Sequence, residues 1–143
     1  MKTSKVVALF ILQLFFTHST LFAQSNPKVA DKIIGLYWSP EKNAKIEIYK
    51  KGEKYFGKSI WVQNPRKDNL NPNEALRKRD ILGIELLTNF NYEDGTYTDG
   101  NIYDPKSGKT YNCKMTLNGD ELNVRGYVGI SLFGVTKIFN RIK

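Results

Sequence analysis

The sequence predicts an all-β domain: an antiparallel meander of about eight strands, closed into a barrel. Three observations predict it. From Ile33 onward apolar and polar residues alternate over short runs. Turns rich in Gly, Asn and Asp separate those runs at close intervals, and no long stretch among them keeps a helical period. A meander of this size removes its unpaired edges most simply by closing on itself, with an open sandwich as the rival architecture. Such a barrel is either filled by its own side chains or holds one small ligand.

In chain order, Lys2 and Lys5 precede an apolar run from Val6 to Phe16, then a short polar stretch ending at Ala23. This is the layout of a secretory signal peptide cut between Ala23 and Gln24, although Leu21 is larger than the small residue usual at its position. The apolar run is shorter than the about 20 residues a bilayer span requires. The expected organisation is therefore a leader at 1–23, an N-terminal extension at 24–32 and one barrel domain at 33–143. The expected address is exported, periplasmic or extracellular in a bacterium, with nothing spanning the membrane after cleavage.

The first expected strand, Ile33 to Ser39, stops at Pro40. Ala44 to Lys50 puts Ala44, Ile46 and Ile48 on one face, and Lys51-Gly52-Glu53 turns it back into Lys54 to Val62. Ile81 to Phe90 meets the turn Glu93-Asp94-Gly95, and Thr96 to Tyr103 follows. At "DPKSG", Pro105 pre-sets the first corner of a type I turn, Asp104 accepts backbone N–H groups, and Gly108 supplies positive φ. Lys109 to Leu117 then alternates Tyr111, Cys113, Met115 and Leu117 against Thr110, Asn112, Lys114 and Thr116. Asn118-Gly119 is a strong hairpin signal, and Glu121 to Gly129 and Phe133 to Ile142 complete the count.

One segment breaks this rhythm. Gln63 to Arg79, between the third and fourth strands, carries two prolines and five basic residues against two acidic ones. It reads as a long loop, or as a short helix starting near Asn71 or Asn73.

Taken in order, "GLYWS", "IYKKGEKYFGKSIWV", "DNLNP", "LRKRDILGIELL", "GNIYDPKSGKTYNCKM" and "LNVRGYVGISLFG" resemble the domain-of-unknown-function family 2147, small exported bacterial proteins with lipocalin-like barrels. The resemblance covers about Ile33 to Arg141 and implies a fold and an address without an activity. Where that family's opening motif reads Gly-Leu-Trp, this chain has Tyr37 followed by Trp38. Its tail, "KIFNRI", lacks the family's tryptophan before the last arginine. Lipocalin-type barrels pack a first-strand Trp against a last-strand Arg, so the resemblance implies Trp38 or Tyr37 against Arg141 as a structural closure.

Chemistry is bounded mainly by absences. The one histidine, His18, lies within the expected leader, so a processed chain has no Ser-His-Asp or Cys-His mechanism and no histidine-ligated metal. No cofactor is implied. Cys113, the one cysteine, has no internal disulfide partner and shares a face with Met115 and Leu117, as a buried small hydrophobe does. The 22 Lys+Arg outnumber the 14 Asp+Glu, and loss of Lys2 and Lys5 leaves an excess of six. That balance suits an anionic envelope component or a small amphipathic molecule, and no nucleic-acid motif accompanies it.

The candidate ligand or mouth contacts are Arg77, Arg79, Arg125 and Tyr127. The first two belong to the basic run Arg77-Lys78-Arg79, which reads equally as a solvated face. If inward-facing, Arg125 needs a partner such as Asp99 or Asp104 and could hold an anion bidentately. Asp104 and Gly108 are assigned to the turn. Asp80, Glu85, Asp99 and Asp104 are the carboxylates a histidine-free hydrolase would draw on. The expected function is a non-enzymatic envelope protein binding a small apolar or amphipathic ligand. The alternative is a packed barrel that touches anionic envelope material or a protein partner.

Overall fold

The structure, a computed structural model, describes residues 27–143. The expected leader and the first residues of the extension lie outside the described residues. Eight strands are present: β1 (Gly35–Trp38), β2 (Ala44–Lys51), β3 (Lys54–Val62), β4 (Glu85–Glu93), β5 (Thr96–Asp104), β6 (Lys109–Asn118), β7 (Glu121–Tyr127) and β8 (Val135–Arg141). Each pairs antiparallel with the next, and β8 returns to β1 to close the barrel. The expected alternation is realised: Ile46 and Ile48, Cys113 and Met115, and Leu122 and Val124 are all buried inside. Cys113 packs as the small hydrophobe expected, and burial pushes its thiol pKa up to about 12.

Three strands begin later than their apolar runs suggest. Ile33 ends a 3-10 turn, Asp31–Ile33, so β1 starts at Gly35. Residues Ile81 to Ile84 belong to the β3–β4 connection, where Gly83 at φ 89° donates its N–H to the Ser59 carbonyl. A further 3-10 turn at Ser131–Phe133 delays β8 to Val135. In each case apolar composition alone hides a turn that the backbone hydrogen bonds require.

One end of the barrel is sealed. The helical turn α1 (Pro27–Ala30) and the 3-10 turn after it carry Ala30 and Ile33 into the core. The segment read as an extension thus supplies the barrel's floor. Three tyrosine hydroxyls from the wall hold it: Tyr37 donates to the Ile33 carbonyl at 2.8 Å, Tyr97 to the Ala30 carbonyl at 2.5 Å, and Tyr55 to Asp31 at 2.5 Å. Arg141 adds bonds to the Lys32 carbonyl at 2.6 Å and the Ile34 carbonyl at 3.0 Å. Its guanidinium lies 4.8 Å from the centroid of the Tyr37 ring. Gly35 is needed for this approach, because a Cβ there would stand 2.4 Å from an Arg141 nitrogen. The closing aromatic is therefore Tyr37, while Trp38 packs edge-on against Trp61 at 5.8 Å. Burial raises the Tyr37 pKa to about 12 despite the opposing pull of Arg141.

The β3–β4 connection contains one 3-10 turn, Glu74–Leu76, capped by the Asn73 side chain on the Ala75 N–H at 3.1 Å. Its organiser is Asp68, fully buried, a residue without a role in the sequence reading. The Asp68 carboxylate accepts from Tyr103 at 2.5 Å, from Asn71 at 2.8 Å and from Arg79 at 2.9 Å. Burial alone would raise its pKa, but these three donors outweigh burial and hold it below the usual carboxylate range.

Candidate functional site at the open end of the barrel

At the end opposite the floor the barrel is not filled. The inward-facing side chains of Ile46, Leu86, Leu87, Ile102, Val124 and Phe139 form the wall of a cup of about 550 Å³. Its volume lies within the range of small-molecule sites. Strand alternation explains the lining of β8, where Val135, Lys137 and Phe139 face the cup in turn. Gly126, between Arg125 and Tyr127, also borders it.

Polar groups gather at the rim. Lys106, from the β5–β6 turn, bonds Glu41, from the β1–β2 connection, at 2.7 Å. Those two connections stand four strands apart in an eight-stranded ring, so the ion pair reaches across the mouth. The Lys106 hydrogen bond and charge hold the Glu41 carboxyl below its usual range, with Asn43 and Lys137 adding to the effect. A second hollow of about 220 Å³, bounded by Arg66, Ile81 and Pro105, shares Asn43, Leu86 and Lys106 with the first. Lys106 therefore stands at the margin of both, and Glu41 at that of the first. Lys137 enters no ion pair among the described residues and leaves a cation on the inner wall.

The four side chains expected at the mouth do not line the cup. Arg79 is committed to Asp68, and Arg77 bonds the Asn71 carbonyl at 2.8 Å and Glu74 at 3.4 Å. Tyr127 lies with Arg125 on the outward face of β7. Arg125 meets neither Asp99 nor Asp104 in the contacts of its guanidinium. It donates instead to the Ser131 carbonyl at 2.6 Å, the Leu132 carbonyl at 3.1 Å and the Thr136 hydroxyl at 2.9 Å. The Asp104 turn forms as read: its carboxylate accepts from the Lys106 N–H at 2.9 Å and the Ser107 hydroxyl at 2.8 Å. Gly108 has φ 70°, and a Cβ there would meet the Leu70 carbonyl at 2.0 Å.

Of the carboxylates a hydrolase would draw on, Asp104 alone borders the cup. Asp80 pairs with Lys67, Glu85 with Lys51 and the Tyr49 hydroxyl, and Asp99 with Asn91 and Thr98. Alternation makes most of the cup residues readable as inward-facing, but not Leu86 beside Leu87, which borders the cup at an irregularity in the β3–β4 ladder. What alternation does not reveal is which end of the barrel is plugged, and hence which inward positions face space.

Among the described residues no helix is long and apolar enough to cross a membrane. The sequence profile of a family described as an uncharacterized protein conserved in bacteria (DUF2147) matches residues 35–141. A solved structure described as protein HP1028 from the human pathogen Helicobacter pylori, belonging to the lipocalin family, superimposes with a TM-score of 0.73. The two are 24% identical, and the match covers 78% of this chain and 84% of that one. At that identity the likeness concerns the fold. No curated protein matches the chain.

Proposed function

The chain belongs to the bacterial family of domain of unknown function 2147, and from that premise we propose that it is a non-enzymatic binding protein of the cell envelope, taking a small apolar or amphipathic molecule into its open cup. The observation that carries the reading is the contrast within one barrel interior. The lower half is sealed by a floor that leaves no buried side-chain polar atom unpaired among the described residues, and the upper half is an apolar-walled space of about 550 Å³. The apolar wall supplies burial for a ligand's body, and Lys137 suits a polar or acidic end. Export rests on the leader pattern at 1–23, and the lack of histidine beyond His18 supports binding over catalysis.

The test is native mass spectrometry of the protein purified from its source envelope, beside a denatured control. A small molecule released on denaturation, together with uptake of the neutral probe N-phenyl-1-naphthylamine by the delipidated protein, is the expected result. A ligand-free mass and no probe uptake would overturn the proposal. Recovery from the cytoplasmic fraction of source cells would overturn its envelope part.

A further inference from the structure

The β7–β8 connection, Val128 to Gly134, lies at the open end beside the cup and is rich in exposed apolar side chains. Val128, Leu132 and Phe133 are 76, 73 and 78% exposed, and Ile130 is 58% exposed. Scattered apolar residues on a surface need no explanation, but four on one loop make a patch of the kind that marks an interaction site. This loop is held in place. Arg125 binds two of its carbonyls and Thr136 beyond it, and a 3-10 turn at Ser131–Phe133 fixes its tip. The apolar side chains are thus presented outward by a built support.

Charge identifies what they are presented to. The open-end connections, residues 40–43, 63–84, 105–108 and 128–134, contain seven basic and four acidic side chains. The closed-end segments, residues 27–34, 52–53, 94–95, 119–120 and 142–143, contain three basic and four acidic side chains. Lys42, Arg66 and Lys78 of the open end enter no ion pair among the described residues. An anionic surface would attract the open end, with its basic excess, in preference to the nearly neutral closed end. Apolar insertion combined with basic residues is the pairing that gives a protein reversible affinity for a lipid interface.

We propose that the open end docks on an anionic lipid bilayer, with the Leu132–Phe133 tip entering the headgroup region and the basic connections lying over the phosphates. A fluid apolar phase accepts a projecting loop of this shape without a matching groove. Docked in this way, the cup faces the bilayer. The proposal stands on the loop and the charge asymmetry, and does not require the cup to hold a ligand.

The test is sedimentation of the full-length expressed protein, in the form its host leaves it, with sucrose-loaded vesicles of phosphatidylglycerol or phosphatidylcholine. Expected is binding to phosphatidylglycerol that weakens with salt and exceeds binding to phosphatidylcholine. The double variant Leu132→Asp/Phe133→Asp is expected to bind about tenfold less while unfolding at the same temperature. Lys42→Glu/Lys78→Glu, which leaves the loop intact, is expected to lower binding to phosphatidylglycerol alone. Uptake of N-phenyl-1-naphthylamine is expected to be unchanged in both variants, which separates this proposal from that of ligand binding. No binding to phosphatidylglycerol at low salt would overturn the proposal, as would wild-type binding by the Asp/Asp variant. So would a wild-type dimer that this variant dissociates with no vesicle binding, since the loop would then join two copies of the chain.

Discussion

The two ends of this barrel are built from the same eight strands and do opposite things with them. At the closed end, inward tyrosines meet a short helical plug, the hydroxyls of Tyr37, Tyr55 and Tyr97 each find an acceptor, and Arg141 ties the seam between the first and last strands. At the open end none of the described residues plugs the interior, and an exposed ion pair spans the mouth. The lesson is that barrel closure and barrel filling are separate properties. The strand ladder gives the first, and only the segment preceding β1 gives the second, at one end.

The contrast breaks most directly at Ile33, which is fully buried in the floor. Ile33→Ala removes buried methyl groups where three hydrogen-bonded tyrosines limit collapse, and should cost about 3 kcal/mol. Urea denaturation followed by tyrosine fluorescence measures it. A loss below about 1 kcal/mol would mean that the floor is a loosely attached lid and that the ends differ less than described.

The open end has one rigid part, and Asp68 sharpens the comparison there. Its carboxylate takes donors from Tyr103, Asn71 and Arg79, whereas an amide offers a single acceptor oxygen and adds donors facing donors. Asp68→Asn should destabilise by about 2 kcal/mol. Its pKa is depressed in the folded protein, so the stabilisation is complete above the ordinary value of 3.8 and is lost as pH falls through the lower folded value. Hydrogen exchange of residues 63–84 should therefore accelerate in the wild type below that pH. In Asp68→Asn it should already be fast and flat across the same range.

These cases show what was legible in the sequence. Strand order, the "DPKSG" and Asn-Gly turns and the inward faces of β2, β6 and β7 follow from local rules, because period-2 alternation and turn chemistry are set by near neighbours. Alternation places Arg125 on the face of Asn123 and Tyr127, but its partners are carbonyls of a loop whose path only the fold defines. Asp68 sits in "RKDNLNP", among residues that read as solvated, and its burial depends on Tyr103, thirty-five positions on. Lys137 carried a visible signal, a lysine between Val135 and Phe139 on an alternating face, which gains meaning only once that end of the barrel is known to be open.

Filling the cup asks whether its emptiness matters. Leu86 borders both hollows, and Leu86→Trp places a large ring into unoccupied space, so stability should change by less than about 1 kcal/mol. Probe uptake should fall at least tenfold, measured with N-phenyl-1-naphthylamine, while circular dichroism stays that of the wild type. Unchanged uptake would move the probe's site away from the cup.

The smallest expected effect on folding belongs to the Glu41–Lys106 pair, and it tests the open end as an entrance. Both side chains are nearly two-thirds exposed, so solvent and salt screen their attraction, and Lys106→Met should leave the unfolding temperature unchanged. The pair nevertheless joins connections on opposite sides of the mouth, with Lys106 at the margin shared by two hollows. Breaking it removes a crossbar without touching the wall. The association rate of the neutral probe should therefore rise in Lys106→Met, and added salt should raise the wild-type rate toward the variant's while leaving the variant unaffected. Stopped-flow fluorescence resolves both. A variant with wild-type kinetics at every salt concentration would mean that the ion pair is not in the path, and that entry runs beside the β7–β8 loop instead.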